Sequence, residues 1–159
     1  MKSSQLLRFA TFLLFLTVLP SCGLSFRSAW KNAPSSANGI DGKWEGNWVS
    51  TASGHTGKLR AVISDLGVQA SSAPEMSKGG VPHQFFYHCT WRGMLSAGFK
   101  TKHEVVKQKN GTYTFKGDHQ MPKWVGGTYH YQGTIKGDDF NACYESGMDR
   151  GTFTMKRVR

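Results

Sequence analysis

The chain is short of acid. Ten Asp and Glu face 20 Lys and Arg over 159 residues, a formal net charge of +10. Cysteine is scarce as well, with three in all, too few for a small fold held by several disulfides. Metal-ligand spacings are missing. The six His form no His-Glu-x-x-His and no His-x-His, and no Cys-x-x-Cys occurs, so neither a metal nor a cofactor is expected. No Gly-x-Ser-x-Gly elbow or Cys-His signature is present, so no catalytic residue is read. Glu45, Asp118, Glu145 and Asp149 could meet as an acid pair only through the fold. Helical periodicity is also absent beyond the N-terminal segment, where no helix is expected.

That N-terminal segment carries a signal. Lys2 and Arg8 supply a positive start, and Phe9 to Leu19 is an apolar run broken only by Thr11 and Thr17. About eleven apolar residues suit a secretory signal and fall short of a membrane span. Leu19-Pro20-Ser21-Cys22 resembles the lipobox of bacterial lipoproteins, with Pro20 departing from the usual residue. The resemblance implies cleavage before Cys22 and a diacylglyceryl group on its thiol. The protein is then anchored to a membrane through Cys22, facing the periplasm or the cell exterior. The other reading is an ordinary signal and a secreted soluble protein. The expected boundaries are a signal peptide over residues 1–21, a lipid-attachment Cys with flexible linker over 22–40, and one domain over 41–159.

Export limits the partners. Beyond Cys22 the net charge is about +8, because only Lys2 and Arg8 are lost with the signal. Nucleic acid is not an expected partner of an exported protein. The basic balance suits anionic envelope surfaces, lipid headgroups or acidic polysaccharide, or is simply a soluble cationic surface. Lipidation of Cys22 leaves Cys89 and Cys143 as the candidate disulfide; the alternative is two small hydrophobes without a bond.

Gly23 to Gly39 is rich in Ser, Ala, Asn and Pro and reads as a tether, roughly 55 Å long if extended. From Gly42 the period becomes two. Trp44, Gly46 and Trp48 share one phase. So do Leu59, Ala61 and Ile63, then Phe85, Tyr87, Cys89 and Trp91, and so on to Phe153 and Met155. Ser53-Gly54, Asn110-Gly111, Gly126-Gly127, Gly137-Asp138 and Ser146-Gly147 supply turns between the runs. Residues 67–82 read as a long loop, and Met94 to Gln108 as one long or bulged strand. The fold class is all-β: a single antiparallel barrel of about eight strands, with a β-sandwich as the alternative.

Gly42-Lys43-Trp44-Glu45-Gly46-Asn47-Trp48 resembles the Gly-x-Trp start of the calycins, the lipocalin, fatty-acid-binding and avidin barrels. The resemblance implies that Trp44 packs across a closed barrel end and that a basic residue of the last strand, Arg157, covers it. The chain is also similar to a family of small exported bacterial proteins with a Trp-x-Gly-x-Trp start and a Gly-Thr-Phe ending, a likeness that supplies no activity. A barrel of this size fills its interior with side chains or holds one small ligand. The candidate ligand-lining residues are Trp44, Trp48, Tyr87, Trp91, Tyr113, Tyr129, Tyr131 and Tyr144. They are rich in Tyr and Trp, whose polar ends need partners when buried. A small apolar or amphipathic ligand is one reading; a purely structural aromatic core is the other.

Overall fold

The computed structural model describes residues 21–34, 39–67, 80–91 and 95–159. It opens on a helix, α1 (Ser21–Asn32). The strands are β1 (Gly42–Ser50), β2 (Thr56–Asp65), β3 (Val81–Trp91), β4 (Leu95–Lys107), β5 (Tyr113–Gln120), β6 (Thr128–Lys136), β7 (Asp139–Glu145) and β8 (Arg150–Val158). A short 3-10 turn over Lys123–Val125 joins β5 to β6. Each strand pairs antiparallel with the next, and β8 returns to β1, closing an up-and-down barrel. Closure leaves no open sheet edge among the described residues.

Alternation decides which residues face inward. β7 and β8 alternate exposed and buried residues without a break over Asp139–Glu145 and Arg150–Lys156. The inward phase holds Phe140, Ala142, Tyr144, Phe153 and Met155, each at most 8% exposed. Gly46 sets the closure between β1 and β8. A Cβ there would lie 2.0 Å from the Thr154 carbonyl oxygen, so only Gly allows the approach. β4 runs unbroken over thirteen residues. Its pattern is weak in sequence because two of its buried positions are polar, Thr101 and His103.

Two expectations are corrected. A helix does form beyond the signal: α1 occupies much of the stretch read as a tether. It turns Phe26, Ala29, Trp30 and Ala33 onto Val62 and Phe86, outside the barrel. That i, i+3, i+4, i+7 spacing is one helix face. Ser, Ala and Asn dominate the composition and mask it. Secondly, Cys89 and Cys143 are both free thiols. Cys89 lies in the inward phase of β3, whereas Cys143 is exposed on the outside of β7, where its thiol faces the Gln132 carbonyl. The barrel wall separates them. The expected signal over 1–21 lies outside the described residues except for Ser21, as does most of the expected long loop.

Candidate functional site

The strands lead to two unlike ends. At one, Trp44 of β1 is fully buried and its Nε1 donates to the Ile40 carbonyl at 3.0 Å. The Arg157 guanidinium lies 4.4 Å from the indole centroid. Its Nη1 donates to the Asp41 carbonyl at 2.7 Å and its Nη2 to the Gly39 carbonyl at 2.6 Å. Its Nε faces Asp138 at 3.3 Å. Arg157 thus ties the segment before β1 to the last strand, over the face of the indole. Charge is kept hydrogen-bonded while the ring is covered, a contact worth about 0.5–2 kcal/mol. Burial raises the Asp41 carboxyl above its ordinary range, and His83, 3.7 Å away, works against that rise. Tyr113, at the start of β5, belongs to this end, with its hydroxyl near Gly39.

The middle of the barrel is full. Phe85, Phe115 and Phe140 pack ring to ring at 5.0–6.4 Å. Tyr87 stacks on Tyr131 at 6.2 Å and meets Phe153 at 5.4 Å. Burial pushes the Tyr87 and Tyr131 hydroxyls well above the ordinary phenol range, so both stay neutral donors. His103 sits among these rings at 1% exposure, with Nε2 3.5 Å from the Tyr87 hydroxyl and no partner for Nδ1 among the described residues. Gly117 makes room for it: a Cβ there would lie 2.4 Å from that Nδ1. Burial holds His103 down to about 3; neighbouring His119 lowers it further and Asp118 opposes. The imidazole is therefore neutral at physiological pH.

At the other end the rings part. Trp48, four residues along β1 from Trp44, is only half-buried and donates from Nε1 to the Thr90 carbonyl at 3.1 Å. Trp91 meets the His55 ring at 5.1 Å. Between them lies a hollow of about 370 Å3, walled by Trp48, His55, Cys89, Thr90, Trp91, Ser96 and Ala97. Desolvation pushes the Cys89 thiol up to about 12, so it is no nucleophile at neutral pH. Phe99 stacks on His119 at 5.5 Å nearby. The Tyr144 hydroxyl donates to Asp149 Oδ2 at 3.0 Å, and Ser50 donates to Oδ1 at 2.5 Å. Asp149 thereby latches the β7–β8 turn to β1. Trp124, 79% exposed, stands on the 3-10 turn at the same end. Comparison with protein-family models, curated proteins and solved structures finds no match.

The eight expected lining residues therefore divide. Trp44 and Tyr113 belong to the sealed end. Tyr87 and Tyr131 fill the middle, and Trp48, Trp91, Tyr129 and Tyr144 lie toward the open end. Only Trp48 and Trp91 of the eight wall the hollow. Sequence reasoning passed over His55 and Phe99. His55 sits in a turn, outside any alternation, and Phe99 lies in the weakly patterned β4. A larger depression, about 990 Å3, lies against β4 to β8, lined by outward side chains together with the inward His103, Tyr131 and Tyr144, the last two among the eight expected lining residues. Of the charged side chains around it, Lys116 pairs with Glu104 at 3.8 Å and His130 with Asp118 at 2.8 Å, and Lys102, Glu145 and Arg150 line it as well. It has the character of a charged outer wall, whereas the smaller hollow is an open recess with aromatic rings in its wall. Among the described residues no three His, Cys, Asp or Glu side chains gather to hold a metal.

Proposed function

We propose that this is an exported, lipid-anchored binding barrel that takes a small flat apolar or amphipathic molecule at its Trp48 end. The observation that carries the reading is the hollow of about 370 Å3 between the Trp48 and Trp91 rings. Pockets of that size, largely apolar with a few polar groups, are typical of small-molecule sites. His55 and the backbone carbonyl of Thr90 supply the polar groups. The filled middle of the barrel limits the ligand to this end, so a long acyl chain lying along the axis is not the expected cargo. The four residues preceding Gly23 supply the anchor in this reading, through Cys22.

Tryptophan emission tests the site. Titration with an apolar reporter dye should quench Trp48 and Trp91 and saturate. Trp91→Ala should weaken the dye about tenfold or more, and Tyr113→Phe at the sealed end should leave it unchanged. Equal weakening by both, or no saturable quenching, rules the site out. The anchor is tested separately, by incorporation of an alkyne-tagged fatty acid in the expressing bacterium and its loss in Cys22→Ser.

A further inference from the structure

α1 changes what an anchor at Cys22 would do. Cys22 is the second residue of the helix, and Phe26 four residues later is already packed on the barrel. At 1.5 Å per residue, about 6 Å of helix separates them. A lipid carried at Cys22 would hold the barrel against its membrane, not at the end of a long tether.

The barrel face on which α1 lies is basic. Phe26 stacks on His88 at 4.8 Å and meets Phe86 edge-on at 5.1 Å. Arg60 of β2 lies 5.1 Å over Trp30, and Lys100 of β4 lies 4.8 Å over Phe86, so cations flank the helix on both sides. Arg27 and Lys31 lie on the exposed side of α1, and Lys58 and Lys102 extend the row on β2 and β4. The field is felt locally: His88 is lowered first by desolvation, then by Arg60 and Arg27. Three carboxylates lie near this face: Glu45 pairs with Arg60 at 2.9 Å and so offsets one cation of the row, Glu104 pairs with Lys116 of β5, and Asp65 caps the Gly67 amide. On the far side, β6 to β8, Lys156 is paired with Asp139, and Arg159 with Asp138 at 2.5 Å.

We infer that the α1–β2–β3–β4 face lies flat on an anionic phospholipid surface, with the basic row at the headgroups and the Trp48 end open to one side. This deepens the lipid-anchored reading and rests on it for the position of the anchor. The charge row attracts anionic lipid whether or not Cys22 is acylated, each cation near the surface strengthening binding about fivefold.

The test uses the full chain carrying Cys22→Ser, which removes the acylation site, with vesicles of phosphatidylcholine alone or with 30% phosphatidylglycerol as an on the order of physiological charge density. Sedimentation should show binding to the anionic vesicles only, lost in high salt. Lys100→Glu with Lys102→Glu should weaken it about tenfold or more. Lys136→Glu on the far side should have less than a twofold effect. Absence of binding to anionic vesicles overturns the inference, as does equal sensitivity to Lys136→Glu. Loss with Trp124→Ser but not with the Lys pair would also overturn it, because the barrel would then sit on its rim. Failure of fatty-acid incorporation at Cys22 alongside face-specific vesicle binding would remove the anchor and leave the face standing.

Discussion

Trp44 and Trp48 sit on one strand, in one phase, four residues apart, and do different work. Trp44 is fully buried, capped by Arg157 and hydrogen-bonded to Ile40. Trp48 is half-buried and borders a hollow. Residue type and alternation are the same for both. The cover differs: a guanidinium held by three carbonyl and carboxylate groups at one end, and Trp91 with His55 at the other. An indole in a small barrel becomes a plug or a platform according to what the ends of the neighbouring strands place over it.

The sharpest way to break that contrast is to remove the plug. Trp44→Ala should cost about 3–5 kcal/mol, as for large aromatic side chains cut from a core. Urea unfolding should show a matching fall in midpoint, while Trp48→Ala, with less surface to lose, should cost less than half as much. Equal losses would mean that the two ends are packed alike. Removing the cover is next. Arg157→Ala should cost about 2–3 kcal/mol, from the lost ring contact and two charged hydrogen bonds. Arg157→Lys should recover only part, since an ammonium cannot make the fork to the Gly39 and Asp41 carbonyls. Full recovery by Lys would show that charge alone matters there.

Much of this arrangement was legible in the chain. Barrel class and strand phase followed from alternation, because the runs from Trp44 to Met155 keep one apolar face, with β4 the exception through its buried Thr101 and His103. The resemblance at Gly42 and Arg157 anticipated which side chains meet at the sealed end. What was not legible has physical causes. The α1 contact depends on Val62 and Phe86, outward residues on two strands, and nothing local to Phe26 marks them as its partners. The separation of Cys89 from Cys143 depends on phase in two strands across a wall. The division of eight candidate rings into plug, filler and platform depends on height along the barrel axis, and alternation carries no information about height.

The filled middle yields a pH prediction. His103 titrates at its ordinary 6.5 when unfolded and near about 3 when folded. Between those values the unfolded chain holds the extra proton. Stability from this group is therefore complete above 6.5 and is lost as pH falls toward 3, by up to ~1.4 kcal/mol per unit. Urea midpoints measured from pH 7 to pH 4 should show that slope, and His103→Leu should flatten most of it. An unchanged slope in the variant would assign it to other groups, His88 and His119 among them, whose lowered values act in the same direction.

The smallest effect on stability is the most direct probe of the open end. Cys89 borders the hollow with its thiol raised to about 12 by burial, whereas Cys143 is exposed on the outer wall. At pH 8 the thiolate fraction of Cys89 is on the order of one in ten thousand. Iodoacetamide should therefore alkylate Cys143 first, with Cys89 about a hundredfold slower or more. Peptide mass mapping over time separates the two. A ligand seated between Trp48 and Trp91 should slow Cys89 further without touching Cys143, because only Cys89 shares its wall. If Cys89 reacts as fast as Cys143, the Trp48 end is wetter than its burial implies, and the platform reading of Trp48 loses its ground.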